Sequence, residues 1–212
     1  MRVGELSARA EVPVATVKWY LRVGLLHKGE ATAHNQASYD DSHLHRLRLI
    51  RAMLEVGGLS VEQAKKVLDA IDDDQLEIPQ VAAVAHAAVS GRGSYRNYEP
   101  ALPAVTRYLD RRGWRVSADS PARADLAAVL GALELLSRSG DGASPPVADD
   151  EQIASLLDPY ADAVQAIAEA EVRALPPAEQ RGQLVEDIVV GTVLMEQAMG
   201  ALRRLAQENA FG

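Results

Sequence analysis

The 212-residue chain contains no cysteine. That absence removes disulfides, thiolate metal centres and cysteine nucleophiles together. Aromatic residues are scarce too: two tryptophans, six tyrosines and one phenylalanine make up 4% of the chain. A chain rich in alanine and leucine but poor in aromatics builds its core by packing helix on helix rather than on a large sheet. No apolar run approaches the roughly eighteen residues of a membrane span, and the N-terminus has no charged region followed by an apolar stretch, so no span and no secretory leader are expected and the cytoplasm is the expected location. Nor is there a Ser-His-Asp arrangement, a Gly-rich phosphate cradle or a Walker lysine. Neither catalysis nor a cofactor is expected.

Basic residues are outnumbered, 22 to 30, for a net charge of −8. The deficit is uneven. Residues 1–51 hold eight Lys/Arg against five acids, a net of +3, and the remainder carries −11. A small anion-binding module attached to an acidic body would have this asymmetry.

The patterning of the first third predicts a chain of helices. A short helix over 4–10 is followed by a tight break at Glu11-Val12, then by a helix opened by Pro13 and stopped by Gly24, which together make a helix-turn-helix. The polar stretch from His27 to Tyr39 has no helical period and reads as a small β-hairpin. Asp40 or Asp41 then caps a helix through Val56, and Ser60-Val61-Glu62-Gln63 reads as a capping box opening a fourth. Within "VATVKWYLRVGLL", residues 14–26, the helical rotation of about 100° per residue puts Val14, Val17 and Leu21 on one side and Ala15, Lys18, Trp19 and Arg22 on the other. A tryptophan on the cationic side is out of place unless that side has a partner.

These residues carry a resemblance. The opening "RVGELS", the Thr16–Tyr20 core, "GLL" at 24–26 and "RLRLIRAMLEVGGLSVEQ", in that order, resemble the N-terminal domain of MerR-family transcription regulators over residues 1–72. The resemblance implies a winged helix-turn-helix whose second helix enters the major groove of promoter DNA, with Thr16, Lys18, Trp19 and Tyr20 as contacts and Arg22 on the same helix. It also implies a wing, where His34, Asn35, Gln36 and Tyr39 are the candidates. The Tyr-Arg pair usual in that wing is missing here, the positions before Tyr39 reading Gln36-Ala37-Ser38, so grip through neutral hydrogen bonds is expected. Arg46 and Arg48 open the third helix two residues apart and point to different sides. At most one can meet the DNA backbone, and Arg46 is taken as the contact.

The expected fold is mainly α: a winged helix-turn-helix with a small β wing, then an all-α bundle. Residues 73–100 read as a short helix and linker, and 101–212 as an all-helical domain for dimerisation and effector binding, with a general likeness to the ligand domains of TetR-type repressors. Helices are expected over 103–112, 121–137, 150–174 and 177–208, with Leu126, Val129, Leu130, Leu133 and Leu136 inward in the second of these. In the last, Leu184, Ile188, Gly191, Met195, Ala198, Leu202 and Leu205 step by four and three as a heptad seam. Asp72-Asp73-Asp74 reads as a solvated turn, and Glu151, Asp158, Asp162 and Glu169 as a solvated acidic stripe, so no metal site is expected. Tyr108, Trp114, Tyr160, Met195 and Met199 are candidates to line an effector pocket, for an organic molecule if any.

The functional expectation is a homodimeric regulator that binds and distorts double-stranded promoter DNA where RNA polymerase sits. The alternatives are a plain steric repressor without an effector and a ligand-sequestering or protein-interaction helical bundle.

Overall fold

The computed structural model of the chain describes residues 1–33, 36–90, 99–137, 149–177 and 181–211. In order the helices are α1 (Val3–Ala10), α2 (Val14–Val23), α3 (Asp41–Arg51), α4 (Val61–Asp72), α5 (Ile78–Val89), α6 (Leu102–Arg112), α7 (Pro121–Ser137), α8 (Asp150–Ala174) and α9 (Arg181–Phe211). A two-stranded antiparallel ribbon, β1 (Glu30–Ala33) and β2 (Gln36–Ser38), lies between α2 and α3. The fold is thus mainly α with a small wing, as the patterning predicts. The chain divides into two compact units, Met1–Ala88 with Val185–Gly212, and Val89–Leu184.

In the first unit, local chemistry sets the helix ends. Glu11, left-handed at φ 55°, turns the chain after α1, and its N–H returns to the carbonyls of Ser7 and Ala8. Gly24 stops α2 at φ 77°, a conformation without steric cost only for glycine. Asp40 caps α3 by accepting from the N–H groups of Ser42 and His43. At α4 the expected capping box is complete: Ser60 Oγ accepts from the Gln63 N–H at 3.2 Å, and Gln63 Oε1 from the Ser60 N–H at 2.8 Å. Under these helices Leu6, Val17, Leu25, Leu26, Leu47, Ile50, Met53, Val67 and Leu68 are fully buried.

The third helix departs from expectation. Regular winding stops at Arg51, and residues Ala52–Val56 form a π turn, in which the Gly57 N–H reaches back five residues to the Ala52 carbonyl at 2.8 Å. A Cβ on Gly57 would collide with the Val193 side chain of α9 and lie 2.7 Å from the Met53 carbonyl oxygen. The bare glycine is therefore the niche that seats α9. This sets the rotation of that helix: Val185, Val189 and Val193, one row of i, i+4 spacing, are buried. The heptad row is buried at its start, Leu184 at 6%, and opens toward the end of the helix, with Leu202 65% and Leu205 60% exposed.

The second unit has its own core, in which Val105, Tyr108 and Leu109 of α6 meet Ala127 and Leu130 of α7 and Ile153 and Ala161 of α8. The inward stripe of α7 is narrower than expected, for Val129 and Leu133 are exposed. The acidic stripe of α8 is largely exposed, as expected, but two of its carboxylates and the neighbouring Asp150 are partnered by α6. Asp158 accepts from the Tyr108 hydroxyl at 3.0 Å, Asp162 pairs with Arg112 at 2.6 Å, and Asp150 takes a two-pronged bond from Arg107. These carboxylates clasp α6 because three arginines on its last turns face them, a pairing between segments some fifty residues apart that periodicity within one helix does not register.

Candidate nucleic-acid interface

α2 is anchored from beneath. Val17 is fully buried, Tyr20 is 6% exposed, and Gly24 turns the chain so that Leu25 and Leu26 follow into the core. This anchoring turns the opposite face out, where Lys18 and Arg22 are exposed and Trp19 lies half-buried beside them. Trp19 leans on Tyr20, ring centroids 5.3 Å apart and tilted by 45°. That contact holds the indole on the protein surface with one side open.

The sequence-predicted site residues divide. Lys18, Trp19 and Arg22 share the outward face, whereas Thr16, half-buried, lies on the flank beside buried Tyr20. Tyr20 and Tyr39 are both buried; burial, reinforced by the nearby Glu55 carboxylate, pushes the Tyr20 phenol above its ordinary range. His34 and Asn35 lie outside the described residues, and of Gln36 only the backbone in β2 is described.

Arg46 requires correction as a contact. Its guanidinium donates from Nε to the Leu25 carbonyl at 3.1 Å and grips both carboxylate oxygens of Asp72, at 3.0 and 2.5 Å. It is 9% exposed and ties the middle of α3 to the end of α4. Arg48, two residues on, is the one that faces out. The sequence places the two on opposite sides but cannot say which is inward, because the deciding partner, Asp72, arrives 26 residues later.

A second cluster lies where the wing rejoins α3. The rings of His27 and His43 lie with centroids 3.9 Å apart, tilted by 41°, and Tyr39 stands edge-on to His43. His43 Nδ1 is 2.7 Å from the Asp40 carboxylate, and His27 Nε2 is 3.1 Å from Ser42 Oγ. Burial, then the neighbouring His43 ring, lowers the pKa of His27. Bonds from the Ser42 hydroxyl and from His43 hold the Asp40 carboxyl well below the usual carboxylate range. Sixteen residues separate the two histidines, too far for any spacing signal.

The profile of the MerR HTH family regulatory proteins matches residues 1–71. The solved structure of SCO5550 from Streptomyces coelicolor A3(2), assigned as a transcriptional regulator, is 32% identical, with a TM-score of 0.68 over 99% of this chain and 95% of its own. The chain belongs to the MerR family.

Two curated relatives align over 85 residues each. The HTH-type transcriptional regulator HmrR of Sinorhizobium medicae (strain WSM419) is 34% identical over 85 residues, and heavy metal-dependent transcription regulator 2 of Rhizobium meliloti (strain 1021) is 32% identical over 85 residues. Each alignment covers 40% of this chain and 57% of the relative, so the chain spans a little over half the length of these curated relatives. These MerR-family matches are all named as regulators. The MerR module here is thus the helix-turn-helix of α1 and α2, the β1–β2 wing, and α3 with α4.

The five candidates for an effector pocket are not one cluster. Tyr108 and Trp114 belong to the core of the second unit, where burial and the Asp158 carboxylate push the Tyr108 phenol up to about 12 and Trp114 Nε1 donates to Gln165 at 3.3 Å. Tyr160 is half exposed on α8. Met195 and Met199 lie on α9 in the first unit and are both exposed.

Proposed function

We propose that the chain is a sequence-specific regulator of transcription that binds promoter DNA as a homodimer, with α2 of each protomer in the major groove. One observation carries the reading: the outward face of α2 presents Lys18, Trp19 and Arg22 together, while its underside is fixed in the core. Lys18 and Arg22 supply charge for phosphates or guanine edges, and the Trp19 N–H can donate to a phosphate oxygen. Thr16 stands on the same helix, Arg48 faces out from α3, and the family resemblance adds the wing residues His34, Asn35 and Gln36 as candidates. A promoter target puts the protein in the cytoplasm with RNA polymerase as its neighbour; among the described residues no helix is long and apolar enough to cross a membrane.

The second copy lies along the exposed row of α9, where Met195, Leu202 and Leu205 continue the heptad spacing past the buried valines. Two such protomers read inverted half-sites about one helical turn apart. An organic effector acting on the second unit, through the surroundings of Tyr108 and Trp114, would alter how the dimer distorts the duplex, and the bending energy enters the choice of sequence.

Footprinting of the full chain on the DNA upstream of its own gene is the direct test. Protection of an inverted repeat is expected, lost in K18A/R22A with the fold intact by circular dichroism. Binding without sequence preference would leave the C-terminal bundle as the working part. A specific complex in which the duplex is not distorted would instead make the protein a steric repressor.

A further inference from the structure

We propose that Arg51 is a positioning residue for α2, and that α9 controls it through the π turn, so that Val193, Gly57, Glu55 and Arg51 link the seat of α9 to Trp19. The link stands without the DNA reading; only its effect on affinity rests on that reading.

Arg51 is the last residue of α3, and its guanidinium is shared between two elements. Nη1 donates at 3.3 Å to the carbonyl of Ala10, the last residue of α1 and the one before the left-handed Glu11 that turns the chain toward α2. Carbonyls at a helix end have no partner within the helix, so this bond fixes where α1 stops and how α2 begins. The rest of the fork is held by Glu55, whose two carboxylate oxygens accept from Nε at 3.0 Å and Nη2 at 3.1 Å. An exposed ion pair four residues apart contributes little by itself. Its use here is to aim the guanidinium at Ala10. Both charges also act on the Tyr20 phenol, and the Tyr20 ring supports the Trp19 indole.

Glu55 lies inside the π turn, and the wide winding decides where its carboxylate points. Two backbone bonds hold that winding, Gly57 N–H to the Ala52 carbonyl at 2.8 Å and Leu59 N–H to the Met53 carbonyl at 3.0 Å. The Val193 side chain occupies the space that a Cβ on Gly57 would fill, and Val193 is fully buried there. A second contact, from His45 of α3 to the Glu186 carboxylate, holds α9 on the same helix. Drawing Val193 out of its niche therefore relaxes the turn, takes Glu55 off Arg51 and loosens the joint between α1 and α2. A packed seat of this kind is either filled or empty, which makes it a switch rather than a spring.

The chain has two tryptophans, so W114F leaves Trp19 as the single emitter and reports the link without DNA. In that background V193A is expected to shift Trp19 emission to the red and to steepen its quenching by acrylamide. V189A truncates an equally buried valine one turn away and should leave Trp19 as in the parent. E55Q alters an exposed side chain, keeps the fold by circular dichroism, and should reproduce the V193A shift. In R51M, where the link is already cut, V193A should add nothing. An unmoved Trp19 in V193A or E55Q, an equal shift in V189A, or an undiminished V193A effect in R51M overturns the link. On operator DNA, V193A should weaken specific binding by about two- to thirtyfold. A Trp19 response with affinity unchanged would uphold the link and count against α2 as the DNA-facing helix.

Discussion

At the residue scale, Arg46 in the middle of α3 and Arg48 in its last turn show how little a local pattern says about a cation. Arg46 is spent on Leu25 and Asp72, whereas Arg48, Lys18 and Arg22 face outward. R46M is therefore expected to cost stability, about 2 kcal/mol from lost charge-assisted bonds, with the midpoint of urea denaturation shifted down and the salt dependence of DNA binding unchanged. K18A should do the reverse: stability stays within about 0.5 kcal/mol, while the slope of log affinity against log salt falls by roughly one. An unchanged slope in K18A would remove Lys18 from the phosphate contacts. His27 gives a pH signature. Its folded pKa lies below the unfolded value of about 6.5, so the unfolded chain binds the extra proton first and stability falls as pH drops through 6.5 and toward the folded value. Replacing His27 by Gln should flatten that part of the measured stability profile.

At the element scale, the stop of α2 and the starts of α3 and α4 were readable because each is written in local chemistry: Gly24 for a left-handed stop, Asp40 for a cap, Ser60 with Gln63 for a box. S60A should cost about 1 kcal/mol, seen as a lowered thermal midpoint. What the sequence did not disclose depends on contacts made from afar. The π turn over Ala52–Val56 follows an uninterrupted helical pattern and becomes intelligible only once Val193 is found against Gly57. The same contact explains why α9 buries Val185, Val189 and Val193 rather than the later positions of its heptad row. G57A should overpack this niche and destabilise by about 1–3 kcal/mol; smaller partners at 193, as in G57A/V193A, should recover part of it. Of the interface, the outward face of α2 was legible from rotation alone, whereas the burial of Tyr20 and Tyr39 and the approach of His27 to His43 were not, because they are fixed by the packing of α3 under the wing.

At the scale of the whole molecule, a net charge of −8 and a DNA-facing helix are compatible only if charge is segregated, as it is between the first 51 residues and the rest. If each protomer of a dimer engages about three phosphates, affinity should fall on the order of a thousandfold between 50 and 200 mM salt. A flat response in a mobility-shift series would contradict that. L202E/L205E places charges on a row that is exposed in the single chain, so the protomer should fold normally but sediment as a monomer and lose the cooperative occupation of paired half-sites. Unchanged sedimentation would move the dimer contact elsewhere.

The seating of Val193 beside Gly57 has a consequence for how the protein is made. The first compact unit consists of residues 1–88 and the stretch from Val185, so its last piece emerges from the ribosome only after the whole second unit. The early helices must wait, with the niche beside Met53 uncovered, while the whole second unit is translated between them. A premature stop late in the gene would thus be felt first by the part of the protein encoded at its beginning.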